Sequence, residues 1–294
     1  MKIKLLLFLL FINTTQSKAQ IIATVINAND KKPIPYVNIW IEDENIGTSA
    51  NELGKFEIGE PKDNHRLIFN ALGFEIKTLK KEDIKDVIEL TPKVYILNEV
   101  KVLPSSLKEL KINSFMPEDI KNAFAQNTNN PWIVARYFPF DTIYNKTPFL
   151  KTLRTSVYSY TNKSTFNIRI YEANKDGTVG KEITKENILV TTKKGKFYPE
   201  VNVSKLNIQF PENGLFIGLE ALIIDENKFE SRTTKDDSYV IKTHYSPHFN
   251  NVIIKDNYFT WSYRKGKWEI VSKDYPENHM FKYSKLAIEL TLTN

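Results

Sequence analysis

Alternation of apolar and polar positions dominates this chain. From Ile21 the run IIATVIN, the polar stretch ANDKKPIP and the run YVNIWIED read as two strands about a turn with two prolines. In YVNIWIED, Val37, Ile39 and Ile41 fall on one face and Asn38 and Trp40 on the other, the period of two of a half-buried strand. Asn51 and Gly54 mark a tight turn before a strand through Phe56 and Ile58. Leu67–Phe69 opens another, bent by Ala71-Leu72-Gly73-Phe74, and Ile88–Leu90 and Val100–Val102 close the series. About seven short strands in about eighty residues, punctuated by Gly, Pro and Asn, predict a small β-sandwich over residues 20–103.

The pattern changes over 104–130. In Leu107–Ile112 and Met116–Gln126 apolar residues are spaced by three or four, and Pro117-Glu118-Asp119 has the composition of a helix first turn. Short connector helices, burying Met116, Ile120 and Phe124, are expected there. Alternation returns at Trp132 and continues through Phe149–Tyr160, Phe166–Tyr171, Ile188–Thr192, Phe197–Val203, Leu215–Ile224, Tyr239–Lys242, Tyr258–Arg264, Lys267–Val271 and Leu286–Leu292. With turns at Asp176-Gly177, Lys194-Gly195-Lys196, Asn213-Gly214 and Lys265-Gly266-Lys267, this predicts a jelly-roll-like antiparallel β-sandwich over 131–294. The fold class is therefore mainly β.

The first residues read as an address. Lys2 and Lys4 precede an unbroken apolar run from Leu5 to Ile12, and Ser17 and Ala19 occupy the small-residue positions of a cleavage site ahead of Gln20. A signal peptide over 1–19 is expected, since the run is far shorter than the roughly 20 residues of a spanning helix. The mature chain then carries no transmembrane segment, and its location is the periplasm, the cell surface or the medium.

The motifs of the first sandwich carry a resemblance. Lys32-Pro33-Ile34-Pro35-Tyr36-Val37-Asn38-Ile39, Gly47-Thr48-Ser49 with Asn51-Glu52-Leu53-Gly54-Lys55-Phe56, Leu67-Ile68-Phe69 with Leu72-Gly73-Phe74, and Leu97-Asn98-Glu99-Val100-Lys101-Val102 occur in order. Together they resemble the carboxypeptidase regulatory-like domain, a prealbumin-like sandwich found at the start of many Bacteroidetes TonB-dependent receptors and exported proteins. That resemblance implies seven strands and a scaffold without a catalytic group, whatever its name suggests. In the second half, Phe138-Pro139-Phe140-Asp141, Phe166-Asn167-Ile168-Arg169-Ile170-Tyr171 and Phe210-Pro211-Glu212-Asn213-Gly214-Leu215-Phe216-Ile217-Gly218-Leu219-Glu220 resemble an uncharacterised flavobacterial β-sandwich, which implies architecture and no activity.

Candidate chemistry is sparse. No cysteine is present, which removes disulfides, thiolate metal sites, a cysteine nucleophile and a lipid-anchored terminal cysteine. Neither a Gly-x-Ser-x-Gly elbow nor a glycine-rich phosphate loop occurs. His244 and His248 have the spacing of a metal pair, but no glutamate lies between them and Pro247 breaks a helix; His65 and His279 stand alone. Asn174, Asp176 and Gly177 fit a hairpin turn better than a calcium loop. Glu182, Glu186, Glu220, Asp225 and Glu226 are the carboxylates that a glycosidase-like cleft could use. The aromatic stretch Tyr258 to Tyr263 offers Tyr258, Trp261 and Tyr263, joined by Trp268 across a turn, as ligand-contacting residues for stacking a sugar.

The charge of +6 shrinks once Lys2, Lys4 and Lys18 are assigned to the leader, leaving +3, too little to argue for nucleic acid. The expected function is a non-catalytic exported envelope protein acting as a binding or assembly module, with no cofactor and no metal. Its partner is then an unknown envelope protein or a glycan, and a carbohydrate-binding or glycan-processing accessory is the alternative.

Overall fold

A computed structural model describes residues 20–62, 64–93, 108–125, 130–235, 238–271, 276 and 279–294. The expected leader, the last strand of the first sandwich at Val100–Val102 and much of the connector lie outside the described residues.

The first sandwich has seven described strands: β1 (Gln20–Asn27), β2 (Asn38–Ile41), β3 (Gly47–Ser49), β4 (Lys55–Gly59), β5 (Arg66–Asn70), β6 (Lys77–Lys80) and β7 (Val87–Leu90). One sheet has the order β4-β1-β7, with β1 and β7 parallel, and the other the order β3-β2-β5-β6. Between them Val25, Ile39, Ile41, Phe56, Leu67, Phe69, Ile88 and Leu90 form the core. The alternation of β2 is realised, with Ile39 and Ile41 facing this core. Its other face is not solvated, because Asn38 and Trp40 are 2% and 1% exposed. The strand is buried on both sides, which a period of two does not distinguish from half-burial.

In the connector the helical reading is corrected. Among its described residues only Pro117–Asp119 forms a helical segment, a single turn of 3-10 helix. On either side lie strands β8 (Glu109–Ile112) and β9 (Asn122–Phe124). A few apolar residues three or four apart satisfy either period over so short a segment, and the open edges of the second sandwich decide the matter. β8 pairs with the last strand of the chain, Leu110 opposite Leu292, and β9 pairs with His248–Ile253, Phe124 opposite Phe249.

The second sandwich continues with β10 (Trp132–Phe138), β11 (Phe149–Thr155), β12 (Val157–Ser159), β13 (Ser164–Ala173), β14 (Val179–Glu182), β15 (Ile188–Thr192), β16 (Gly195–Phe197), β17 (Glu200–Asn202) and β18 (Leu215–Ala221). A hairpin of β19 (Lys228–Lys235) and β20 (Ser238–Tyr245) follows. The chain ends with β21 (His248–Ile253), β22 (Trp261–Arg264), β23 (Lys267–Ile270), β24 (Ser284–Leu286) and β25 (Ile288–Thr293). The first sheet runs β14-β13-β18-β10-β22-β23, with β15 extending β13. The facing layer is made of β17-β11-β25-β8 and β16-β12-β21-β24. These two join where β11/β12 and β25/β24 splay apart and admit β21. There Ser156 N donates to Ala287 O, Ala287 N to Asn250 O and Asn250 N to Ser156 O, so the fork leaves no backbone group of the three unpaired. Phe166, Ile168, Ile170, Leu215, Ile217, Leu219, Leu150, Leu153, Leu290 and Leu292 fill the space between the layers.

Gly54 illustrates how local sequence sets the first sandwich. Asn51 accepts from the N–H groups of Leu53 and Lys55 through its side chain, and Gly54 closes the turn at φ +70°. A Cβ at Gly54 would stand 2.6 Å from Val25 O of the neighbouring strand. Gly54→Ala is expected to cost about 1–3 kcal/mol, from left-handed strain and this close approach together. Urea unfolding checks it, and Gly177→Ala, which meets nothing within 4 Å, is the control for the strain alone.

Candidate functional site

The outward-facing side chains of β13, β18, β10 and β22 form one surface. Asn167, Arg169 and Tyr171 alternate with core residues on β13, and Phe216, Gly218 and Glu220 do so on β18. Ile133 and Ala135 on β10 and Trp261 and Tyr263 on β22 continue the surface. On an isolated sandwich this face would meet water. Here β2 and β3 of the first sandwich lie on it.

Three of the four aromatic candidates are absorbed by that seam. The Tyr263 ring meets the edge of Trp40 at 5.8 Å and leans on Trp268 at 5.2 Å, and its hydroxyl accepts from Asn70 Nδ2 at 3.1 Å. Trp268 stands edge-on to Tyr171 at 5.2 Å, and Trp261 packs on Phe216. Tyr263 is only 8% exposed, and burial raises the pKa of its hydroxyl. Trp40 donates through Nε1 to Pro131 O at 3.2 Å, which fixes the indole at the point where the chain enters the second sandwich. Trp261 and Trp268 are half-buried, and Tyr258 is the most exposed of the four at 42%, edge-on to Tyr137 at 4.8 Å. The four residues are thus divided between a buried ring at Tyr263, half-buried rings at Trp261 and Trp268 packed in the seam, and an exposed ring at Tyr258.

The same surface holds a buried ionic cluster. Arg169 forks onto Glu182, with Nη2 donating to Oε2 at 2.7 Å and Nε donating to Oε1, while its Nη1 donates to Glu220 Oε1 at 2.8 Å. Glu220 is 1% exposed and fully engaged. Its Oε1 also accepts from Asn38 Nδ2 of the first sandwich at 2.5 Å, and its Oε2 accepts from Asn167 Nδ2 at 2.8 Å. The chain of bonds continues across the seam. Ser49 Oγ donates to Asn38 Oδ1 at 3.1 Å and accepts from Ile223 N at 3.0 Å. Burial works against the charge on Arg169, but Glu182 and Glu220 outweigh it and hold the guanidinium well above its ordinary pKa. Gly218 keeps the face low, since a Cβ there would come within 2.7 Å of Ile133.

Of the five carboxylates named as a cleft, only Glu182 and Glu220 meet, and they meet on one arginine beneath the first sandwich. Glu186 lines a groove with Pro33, Pro35 and Leu72, Asp225 lines another with Tyr245, and Glu226 pairs with Lys163 at 3.3 Å. Glu220, with both oxygens committed and no route to water, holds the seam rather than reaching a substrate.

The histidines are likewise dispersed. His65 Nδ1 bonds Glu44 Oε1 at 2.8 Å in the first sandwich, and His279 accepts from Phe281 N. His244 Nε2 bonds Ser231 Oγ at 2.8 Å and its ring stacks on Phe229. His248 packs on Tyr160, and burial, aided by His244, pushes its pKa down to about 4. No group of three or more metal-capable side chains occurs among the described residues.

Sequence reasoning passed over Arg136, Arg169 and Asn38. A usable signal was present: each is a polar residue inside a run apolar on both sides, WIVARYF, FNIRIY and YVNIWI. Such a residue must find partners within the fold.

Residues 23–102 match the family model described as CarboxypepD_reg-like domain. The regulatory-like domain of carboxypeptidase-type proteins is non-catalytic. Neither a curated protein nor a solved structure matches the chain. Among the described residues no helix is long and apolar enough to cross a membrane.

Removing Arg169 leaves Glu220 buried without its cation, so Arg169→Met is expected to destabilise the protein by about 3–5 kcal/mol. Arg169→Met with Glu220→Gln is expected to recover much of that loss, measured by urea unfolding of both variants. His248 supplies a pH dependence of definite sign. Its pKa is about 4 when folded and 6.5 ordinarily, so the unfolded chain binds the extra proton between these values. Its contribution is complete above pH 6.5 and is lost as the pH falls toward 4. His248→Phe is expected to flatten the stability profile over that window.

Proposed function

We propose that this protein is a non-catalytic exported envelope protein that acts as a binding or assembly module, and that the β19–β20 hairpin is its docking element. The observation that carries this reading is exposure on a stiffly rooted arm. Among the described residues β19 and β20 pair only with each other, and Tyr239, Ile241 and Val240 near the tip are 80%, 55% and 36% exposed. A cluster of apolar side chains at the end of a projecting ribbon is costly in water and is stabilised when a partner covers it. The root is rigid. Phe229 stacks on Tyr160 at 4.5 Å, and the buried Asn227 bonds Thr165 N, Thr165 O and Leu222 O with its amide. The outer edges of the ribbon have no strand partner among the described residues, which also suits pairing with an extended segment of a partner protein.

The match of the first sandwich to a scaffold domain supports a non-catalytic role, as does the commitment of Glu182 and Glu220 to Arg169, with Glu220 also bonded to Asn38 of the first sandwich. The carbohydrate reading has Tyr258 exposed, Trp261 and Trp268 half-buried and Tyr263 buried in the seam.

Photo-crosslinkers placed at Tyr239 and, as control, at Glu82 test the proposal in intact cells. A discrete higher-mass product from position 239 alone is expected, and it should disappear when Ile241→Ser accompanies Val240→Ser. Unfolding midpoints of that double variant should stay near the parent value, because exposed substitutions change stability by about 0.5 kcal/mol or less. Equal crosslinking from both positions, or none, contradicts a docking arm.

A further inference from the structure

Three arginines of the second sandwich are drawn into its interior or its seams, and they are treated differently. Arg169 holds two carboxylates, and Arg154 lies 3.6 Å from Glu289. Arg136 is 4% exposed and has no ion pair among the described residues. It projects from β10 across the sandwich to the break between β24 and β25, where Nη1 donates to Leu286 O at 2.9 Å and Ile288 O at 3.1 Å. Nη2 donates to Asn113 Oδ1 at 2.9 Å. These bonds use three of the five guanidinium protons, and all three acceptors are neutral. Among the described residues Nε donates to no partner and Nη2 keeps a second proton beyond the one given to Asn113, so donors remain for an incoming carboxylate. Burial draws the pKa of this group down to about 10, opposed only in part by Asp256.

Beside the guanidinium is a cavity of about 220 Å³, lined by Asn113, Ser114, Phe115, Asp119, Lys121, Arg136 and Val252 to Ile254. Its electrostatics favour an anion. Lys121 and Arg136 line it, and the buried Lys285, close enough to feel Arg136, is engaged by Asp256 at 3.2 Å and by Tyr258 O. Asp119, the acid in the lining, has Oδ2 committed to Met116 N at 2.7 Å. Beyond the polar Asn113 and Ser114, the rest of the lining is apolar, from Phe115, Val252, Ile253 and Ile254. A charged end and an apolar body are thus recognised in one small volume, below the usual range for drug-sized ligands.

We propose that this cavity is a binding site for a small monocarboxylate with an apolar body, its carboxylate taken by Arg136 and Lys121. The site is independent of the hairpin and of the seam between the sandwiches.

Isovalerate is the probe, with inorganic phosphate at equal ionic strength as the comparison, followed by calorimetry and by the Nε–H resonance of Arg136. Isovalerate is expected to bind and to shift that resonance, and phosphate to do neither. Asn113→Asp is the decisive variant. It keeps the acceptor for Nη2, tolerates the left-handed backbone of position 113 at φ 56°, and supplies the guanidinium with an internal anion. It should fold, unfold at a higher temperature than the parent, and bind isovalerate at least about tenfold more weakly. Lys121→Gln should weaken binding by about threefold, as expected for a partly solvated charge. Absence of binding, equal binding by Asn113→Asp, or binding of phosphate as tight as that of isovalerate would overturn the assignment.

Discussion

Glu220 is the group on which the arrangement of this molecule turns. A carboxylate so deeply buried is tolerated only when both oxygens are supplied with donors, and its three donors come from two sandwiches. Arg169 and Asn167 belong to its own sheet, whereas Asn38 belongs to the first sandwich. Separating the sandwiches would remove one of these donors and expose Trp40 and the Tyr263 ring against which it packs. Polar and apolar parts of the seam therefore reinforce each other. The hydrogen bonds set the register of β2 on the second sandwich, and the aromatic contacts supply area.

That seam redirects any account of function. A two-layer sandwich has two outer faces on which a ligand could be read, and here the more aromatic face is consumed in joining the two units. What remains available is of another kind. The β19–β20 hairpin exposes Tyr239 and Ile241 on an arm whose root is locked by Asn227. Arg136 faces a small cavity at the end of the second sandwich, clamped to backbone carbonyls with donors to spare. The contrast between Arg169 and Arg136 is instructive. Both are buried arginines of one sheet, on strands separated by β18, one neutralised within the fold and the other hydrogen-bonded to neutral acceptors.

Legibility in the sequence followed the strength of local constraints. Turns stated themselves clearly, because Asn51 and Gly54 solve a backbone problem that few other residues can. Strands with strict alternation, such as FNIRIY, were readable to within a residue or two. Leu107–Ile112 was not, because its period is ambiguous over six residues and its state depends on pairing with β25, about 180 residues away in the chain. The strand Lys228–Lys235 was missed for a similar reason: KFESRTTK has almost no apolar periodicity, and only its partner β20 makes it a strand. Among the residues named for sugar stacking, Tyr263, Trp261 and Trp268 lie together in the seam and Tyr258 lies apart on Tyr137, a division that sequence could not show because it carries no information about what covers a face.

Sequence alone determined the mainly β class, the two sandwiches and the inward sets such as Ile39 and Ile41 or Ile168 and Ile170, because a period of two and turn chemistry are local properties. Tertiary structure alone decided the fate of the alternate set, Asn38, Trp40, Arg169, Glu220 and Tyr263, which alternation assigns to water and packing assigns to a seam. The physical reason is that alternation states which residues share a face, whereas burial of that face depends on a second surface supplied by residues more than a hundred positions away.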